Sequence, residues 1–198
     1  MVDLSIYTLE YFHRRLRADR QRAFDVLAEV VCSRLTFESF VDVGCATGDL
    51  TSRLLDAGKH GVGVELAPAA FMLMAKDVGL NVFAEDATDT NLPAKLGRFD
   101  LAICLEVAEH IPTAKSRALI ENLCQLAGLV LFSAAPPGQG GTGHVNEQSW
   151  DYWQRLFSAE GFVEDVSLGR ALRDDLASGR ARRVYVDNTR VMRAQHGP

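Results

Sequence analysis

A chain of 198 residues with a net charge of −5, 47% hydrophobic and 24% charged, has the size and composition of a single globular domain. The negative balance argues against a general grip on nucleic acid or an anionic membrane. No apolar run is long enough to span a bilayer, the start of the chain lacks a signal-peptide pattern, and the four cysteines (Cys32, Cys45, Cys104, Cys124) show no C-x-x-C spacing, so reduced thiols in a cytoplasmic protein are expected.

From about Tyr7 to Leu35 the chain reads as helix, with Leu16, Ala23, Leu27 and Val31 recurring near the helical period. The basic run His13-Arg14-Arg15-Leu16-Arg17, with Arg20 and Arg22, is expected to be a solvated face paired with Asp19 and Asp25.

Next comes Phe40-Val41-Asp42-Val43-Gly44-Cys45-Ala46-Thr47-Gly48-Asp49-Leu50. An apolar, β-branched run reads as a buried parallel strand, and its two glycines mark a sharp turn. Leu50, Leu54 and Leu55 then fall at helical spacing, to about Ala57. Gly44 permits the turn, Gly48 permits close approach to the backbone, and the helix points its N–H groups into the crevice. The dinucleotide fingerprint would need glycine at 44, 46 and 49, where this chain has Gly44, Ala46 and Asp49. An acid where a pyrophosphate would sit argues against NAD or FAD, as does the lack of a Tyr-x-x-x-Lys pair. The pattern D-x-G-x-x-x-G instead resembles motif I of the class I S-adenosylmethionine (SAM)-dependent methyltransferases. Asp42 suits that ligand, which carries an ammonium and a sulfonium but no phosphate.

A second strand, Gly61-Val62-Gly63-Val64-Glu65-Leu66, ends in an acid 21 residues after Gly44, close to the spacing at which a carboxylate takes ribose hydroxyls. A helix from Ala69 to about Val78 follows Pro68. The third strand, Asn81 to Ala84, runs into Glu85-Asp86-Ala87, where the resemblance implies that Asp86 meets the adenine amino group; a loop-forming Asp is the alternative. A fourth strand opens Phe99-Asp100-Leu101-Ala102-Ile103-Cys104-Leu105-Glu106-Val107-Ala108-Glu109-His110-Ile111-Pro112, whose E-x-x-E-H is similar to the post-strand segment of the same family. A helix from Thr113 to Gln125 and a strand from Leu129 to Ser133 close the parallel half.

The glycine-rich loop from Ala134 to Gln148 lacks a G-K-[ST] ending and is not a P-loop. Trp150, Tyr152 and Trp153 open a helix to about Ala159 with Phe157 inward, and serve either as ring-stacking platforms or as helix packing. The tail reads as a strand (162–166), a helix (168–178) and a strand (Arg183–Val186), with no clear signal after Thr189 except that Arg190-Val191-Met192 could extend the last strand.

The resemblance implies a single α/β domain over 1–198: a Rossmann-like, doubly wound, mostly parallel seven-stranded sheet with a C-terminal antiparallel strand and helices on both faces. Residues 1–36 form a helical cap, 37–133 the cofactor core, and 134–198 the acceptor side. It further implies SAM as cofactor, held by Asp42, Gly44, Ala46, Gly48, Glu65, Leu66, Asp86, Ala87, Leu105 and Glu106. The N-terminal helix then acts as a lid using Tyr7, Tyr11 or Phe12. The expected activity is methyl transfer to a small-molecule acceptor, a sugar or another hydroxyl. Such an acceptor must lose a proton, so a base is needed, and imidazole titrates in the useful range. His144 is the first candidate base and His110 the second. No metal is assigned. The alternatives are a metal-dependent RNA ribose 2′-O-methyltransferase using Glu106, Glu109, His110 and His144, and a non-catalytic SAM-fold binding protein. Oligomeric state is not legible.

Overall fold

The apolar runs form seven strands: β1 Ser39–Val43, β2 His60–Glu65, β3 Val82–Ala84, β4 Phe99–Leu105, β5 Ala127–Ser133, β6 Phe162–Glu164 and β7 Arg190–Ala194. The computed structural model describes residues 3–195. The two ends of the expected 1–198 domain and the side chains of Arg15 and Asp77 lie outside the described residues. The strands join in one sheet, ordered β3-β2-β1-β4-β5-β7-β6. Pairing is parallel from β3 to β5, and β7 runs antiparallel to both of its neighbours.

Among the described residues, ten α-helices connect and cover the sheet: α1 Leu9–His13, α2 Ala18–Arg34, α3 Asp49–Asp56, α4 Pro68–Phe71, α5 Lys76–Gly79, α6 Leu92–Leu96, α7 Ser116–Leu126, α8 Trp150–Ala159, α9 Val166–Ser178 and α10 Arg183–Asn188. Side chains alternate across each strand, so neighbouring residues enter opposite cores. Phe40, Leu101, Ile103, Leu129 and Leu131 meet Leu27 and Val31 of α2, Leu54 of α3 and Leu172 of α9. Val41, Val43, Ala102, Cys104, Val130 and Phe132 meet Leu119 and Leu123 of α7 and Trp153 and Phe157 of α8. Each large side chain removed from water in this way contributes roughly 1.5–3 kcal/mol.

Three expected elements differ. The helix expected from Tyr7 to Leu35 breaks into α1, a 3₁₀ turn (Arg14–Leu16) and α2, with Arg17 extended at φ −66°, ψ 143°. The cause is two destinations: Phe12 of α1 packs with Ala46, Ala67 and Ala70, whereas α2 packs on the sheet. Leu16, counted in the apolar stripe, is 40% exposed. The helix expected from Ala69 to Val78 is interrupted between α4 and α5, where Met72 is 72% exposed and no apolar face holds the chain in one helix. Arg183–Val186, expected as a strand, lies in α10 because Tyr185 buries against Phe24, with ring centroids 6.3 Å apart. The last strand is instead β7, and α6 is an element that the sequence reading did not anticipate.

Candidate functional site

At the C-terminal edge of the sheet, β1 and β4 lie side by side while their following helices diverge, which is the topological switch point of an open α/β sheet. The turn after β1 shapes its floor. Gly44 sits at φ +78°, and a Cβ there would collide with Val107 Cγ2. Gly48, at φ +74°, caps α3, and a Cβ there would come within 2.5 Å of Val78 Cγ1. Two non-glycine residues of this cleft floor carry the same unfavourable backbone, Ala46 (φ +53°) and Glu106 (φ +55°); Arg180, away from it, is the third among the described residues.

Glu65 ties the strand ends together. Its Oε2 accepts from Ala46 N at 2.9 Å, and its Oε1 accepts from Leu66 N at 2.8 Å and Ala67 N at 2.7 Å. Asp86 Oδ1 accepts from Thr88 N (2.8 Å) and Thr88 Oγ1 (2.7 Å), and its Oδ2 lies 3.2 Å from Lys115 Nζ. Burial pushes the Asp86 carboxyl up, but the Thr88 and Lys115 contacts outweigh it and hold the group below its ordinary value.

A first cleft of about 680 Å³, counting its open mouth, sits on this floor. Gly44, Ala46, Glu65, Leu66, Asp86 and Ala87 line its sheet side, and Leu4, Tyr7, Tyr11 and Phe12 close over it from the N-terminal segment. Four carboxylates (Glu65, Glu85, Asp86, Glu106) line it, and no arginine or lysine is among its described lining. Burial, with nearby acids, pushes the Tyr7 phenol up, so it stays protonated. Of the expected cofactor residues, Asp42, Gly48 and Leu105 are not in this lining. Asp42 shares the strand face of Phe40, is 5% exposed, and accepts from Thr51 Oγ1 of α3 at 2.8 Å. It braces the turn from behind.

A second cleft, about 1010 Å³ with its mouth, adjoins the first and shares Tyr11, Glu106 and His110 with it. The glycine-rich loop brings His144 into its wall. His144 Nδ1 lies 2.7 Å from Glu147 Oε1, and Glu147 in turn accepts from Gly140 N (2.6 Å) and Gly138 N (2.8 Å). The His144 contact, with those two amides, holds the Glu147 carboxyl below its ordinary value. His110 stands edge-on to His144 (centroids 4.9 Å) and to Tyr7 (5.8 Å). Glu106 is engaged on both oxygens, by Gln139 Nε2 and Asn188 Nδ2, each at 3.1 Å.

Glu109 is fully buried, and neither carboxylate oxygen meets full hydrogen-bond geometry with a described residue, although the backbone N–H groups of Glu109 and Ala135 are near enough to favour its charged form. Burial first, then the charge of Glu106, pushes it up to about 8. Its Oε1 is 4.0 Å from His144 Nε2, and ligating atoms of Glu109, His110 and His144 lie within 4.8 Å of one another. Three of the four residues weighed for a cation therefore converge, while Glu106 is committed elsewhere.

Trp153 is buried against Phe132, and Trp150 donates from Nε1 to Glu164 Oε2 at 2.9 Å. Neither these residues nor Tyr152 line a cleft, so they are helix packing rather than stacking platforms. Sequence reasoning missed Glu147, whose only signal is an acid three residues after a histidine, and Val107, whose methyls cover Gly44. No described helix is long and apolar enough to cross a membrane.

Residues 40–127 match the family model described as a methyltransferase domain. A ubiquinone biosynthesis O-methyltransferase of Methylococcus capsulatus is 32% identical over 98 residues, 47% of this chain and 41% of that protein. The chain thus matches less than half the length of this curated relative. Among solved structures, magnesium protoporphyrin IX methyltransferase from Synechocystis, with bound SAM, superposes with a TM-score of 0.59 at 20% identity, covering 92% of this chain and 82% of that one. A sugar N-methyltransferase from Streptoalloteichus gives 0.65 at 17% identity, covering 94% and 92%. At these identities the likeness shows a shared fold.

Proposed function

We propose that the chain is a class I SAM-dependent methyltransferase that binds SAM in the first cleft and transfers its methyl group to a hydroxyl of a small molecule held in the second. One observation carries the reading. The first cleft is lined by four carboxylates, Glu85 and Asp86 paired with Lys95 and Lys115 and Glu65 and Glu106 without a lysine or arginine partner among the described residues, and it opens at Glu106 and His110 into a cleft that holds a carboxylate-oriented imidazole. Such a wall suits a ligand bearing an ammonium and a sulfonium and disfavours a pyrophosphate.

When bound, SAM supplies an electrophilic methyl carbon on a sulfonium leaving group, so the protein has to bind, align and desolvate. Glu65 offers a carboxylate to the ribose hydroxyls while fixing the amides of Ala46, Leu66 and Ala67. Leu66, Asp86 and Ala87 would hold the adenine, and the Gly44–Ala46 turn would receive the amino-acid end. Asp42, Gly48 and Leu105 contribute indirectly, by holding the turn and strand end in place. Tyr7, Tyr11 and Phe12 exclude water. Glu147 accepts the Nδ1 proton of His144 and leaves Nε2 with the lone pair that takes the acceptor's proton. His110, on the boundary between the clefts, aligns the acceptor. A radiolabelled-methyl assay against a panel of small hydroxyl acceptors tests this: transfer with wild type that is lost in His144→Ala supports it. Cofactor binding without turnover on any acceptor would favour the non-catalytic alternative.

A second reading rests on Glu109. A buried carboxylate that meets full hydrogen-bond geometry with no described residue, beside two imidazoles, is a donor set that suits Mg²⁺, Mn²⁺ or Fe²⁺. Metal analysis of the purified protein, with activity measured after EDTA and after add-back, separates it from the metal-free reading.

A further inference from the structure

We propose that the second cleft is built for an acceptor carrying an oxyanion, a carboxylate or a phosphate, seated by Arg14, Arg20 and Arg182. The inference rests on reading that cleft as the acceptor site. The three arginines come from two distant parts of the chain and line the same cleft: Arg14 follows α1, Arg20 lies in the first turn of α2, and Arg182 immediately precedes α10. In a chain of net charge −5, a concave surface whose described lining holds three guanidinium groups against two carboxylates, Glu106 and Glu109, is locally enriched in positive charge.

The acids in and beside this cleft keep contacts of their own, and Arg20 too has a partner, but a guanidinium has further N–H donors to offer. Glu106 accepts from Gln139 and Asn188, Glu147 accepts from His144 and two backbone amides, and Glu109 is fully buried. Arg14 meets Glu10 at 3.0 Å, but the two side chains are 62% and 81% exposed, and such a pair exchanges readily for a better partner. Arg182 lies 5.9 Å over the Tyr185 ring, a contact that steadies the guanidinium without neutralising it. Guanidinium groups bind carboxylate and phosphate through paired N–H donors, so this wall fixes one end of an acceptor while His144 meets its hydroxyl. The sequence reading treated this basic run as a solvated face; the fold instead turns two of its members toward a cleft.

The test uses the full chain, with and without saturating S-adenosylhomocysteine, titrated separately with inorganic phosphate and with acetate at constant ionic strength. Binding is followed by NMR of the arginine Nε–H signals. Saturable binding of either probe, weakened about tenfold or more in Arg20→Gln/Arg182→Gln and unchanged in Arg117→Gln on the far helix, supports the proposal, and the preferred probe names the anion. Single Arg182→Gln serves if the double variant fails to melt cooperatively. Equal binding by wild type and variant, or no saturation, would overturn it, as would a short RNA bound far more tightly than phosphate at the same arginines. Failure of S-adenosylhomocysteine to bind wild type would instead remove the cofactor reading, while the phosphate titration still reports on the arginines.

Discussion

Glu147 Oε1 lies 2.7 Å from His144 Nδ1 while the Gly138 and Gly140 amides hold the carboxylate in place. A loop with four glycines between 138 and 143 therefore presents its histidine in one orientation. If Nε2 is the base, His144→Ala lowers kcat by about 10²- to 10⁴-fold with little change in cofactor affinity. Glu147→Gln lowers kcat less, because the amide keeps a contact to the ring but not its charge. A kcat-against-KM comparison of the two variants checks this.

Asp42 and Thr51 should behave as a buried pair. Removing either partner takes one buried hydrogen bond from the other, at about 1 kcal/mol in denaturant unfolding. The double variant Asp42→Ala/Thr51→Ala should lose less than the sum of the singles. S-adenosylhomocysteine affinity should change little, since Asp42 lies behind the cleft wall.

The turn after β1 has no room for a side chain at Gly44. Gly44→Ala combines a strained positive φ with a collision against Val107, and should abolish measurable cofactor binding and destabilise the fold by about 1–3 kcal/mol. Adding Val107→Ala removes the collision but not the backbone strain, so thermal melts of the double variant should show partial recovery.

Glu109 gives a pH signature. Its carboxyl is raised from 4.5 to about 8, so in the folded state it holds a proton that the unfolded chain has released. Its contribution to stability is fully present below pH 4.5 and is lost as pH rises toward 8. Glu109→Gln should flatten that decline, gaining on wild type by on the order of 3 kcal/mol between pH 5 and pH 8 in chemical denaturation.

The central strands β1, β4 and β5 were legible because they are buried on both faces and read as mainly apolar runs, β5 most plainly, whereas β3 at the edge is half exposed. Gly44 was legible because the turn demands a residue that adopts positive φ. Helix breaks were not, because the change of direction at Arg17 is set by where Phe12 and Leu27 each pack, which is tertiary information. Val184-Tyr185-Val186 has strand-like composition, yet burial of Tyr185 against Phe24 makes it helix. In the site, Glu65 and His144 could be placed by spacing. The inward turn of Asp42 followed from strand alternation, which sets it on the face of Phe40, and the arginine wall needed two distant segments to meet.

The account stands on the first cleft holding SAM, and calorimetric titration of wild type and Glu65→Ala with S-adenosylhomocysteine tests that most directly. One-to-one binding by wild type, weakened at least about tenfold by the substitution, is the predicted result. No binding by a wild-type protein that still unfolds cooperatively, or binding that Glu65→Ala leaves intact, would contradict it.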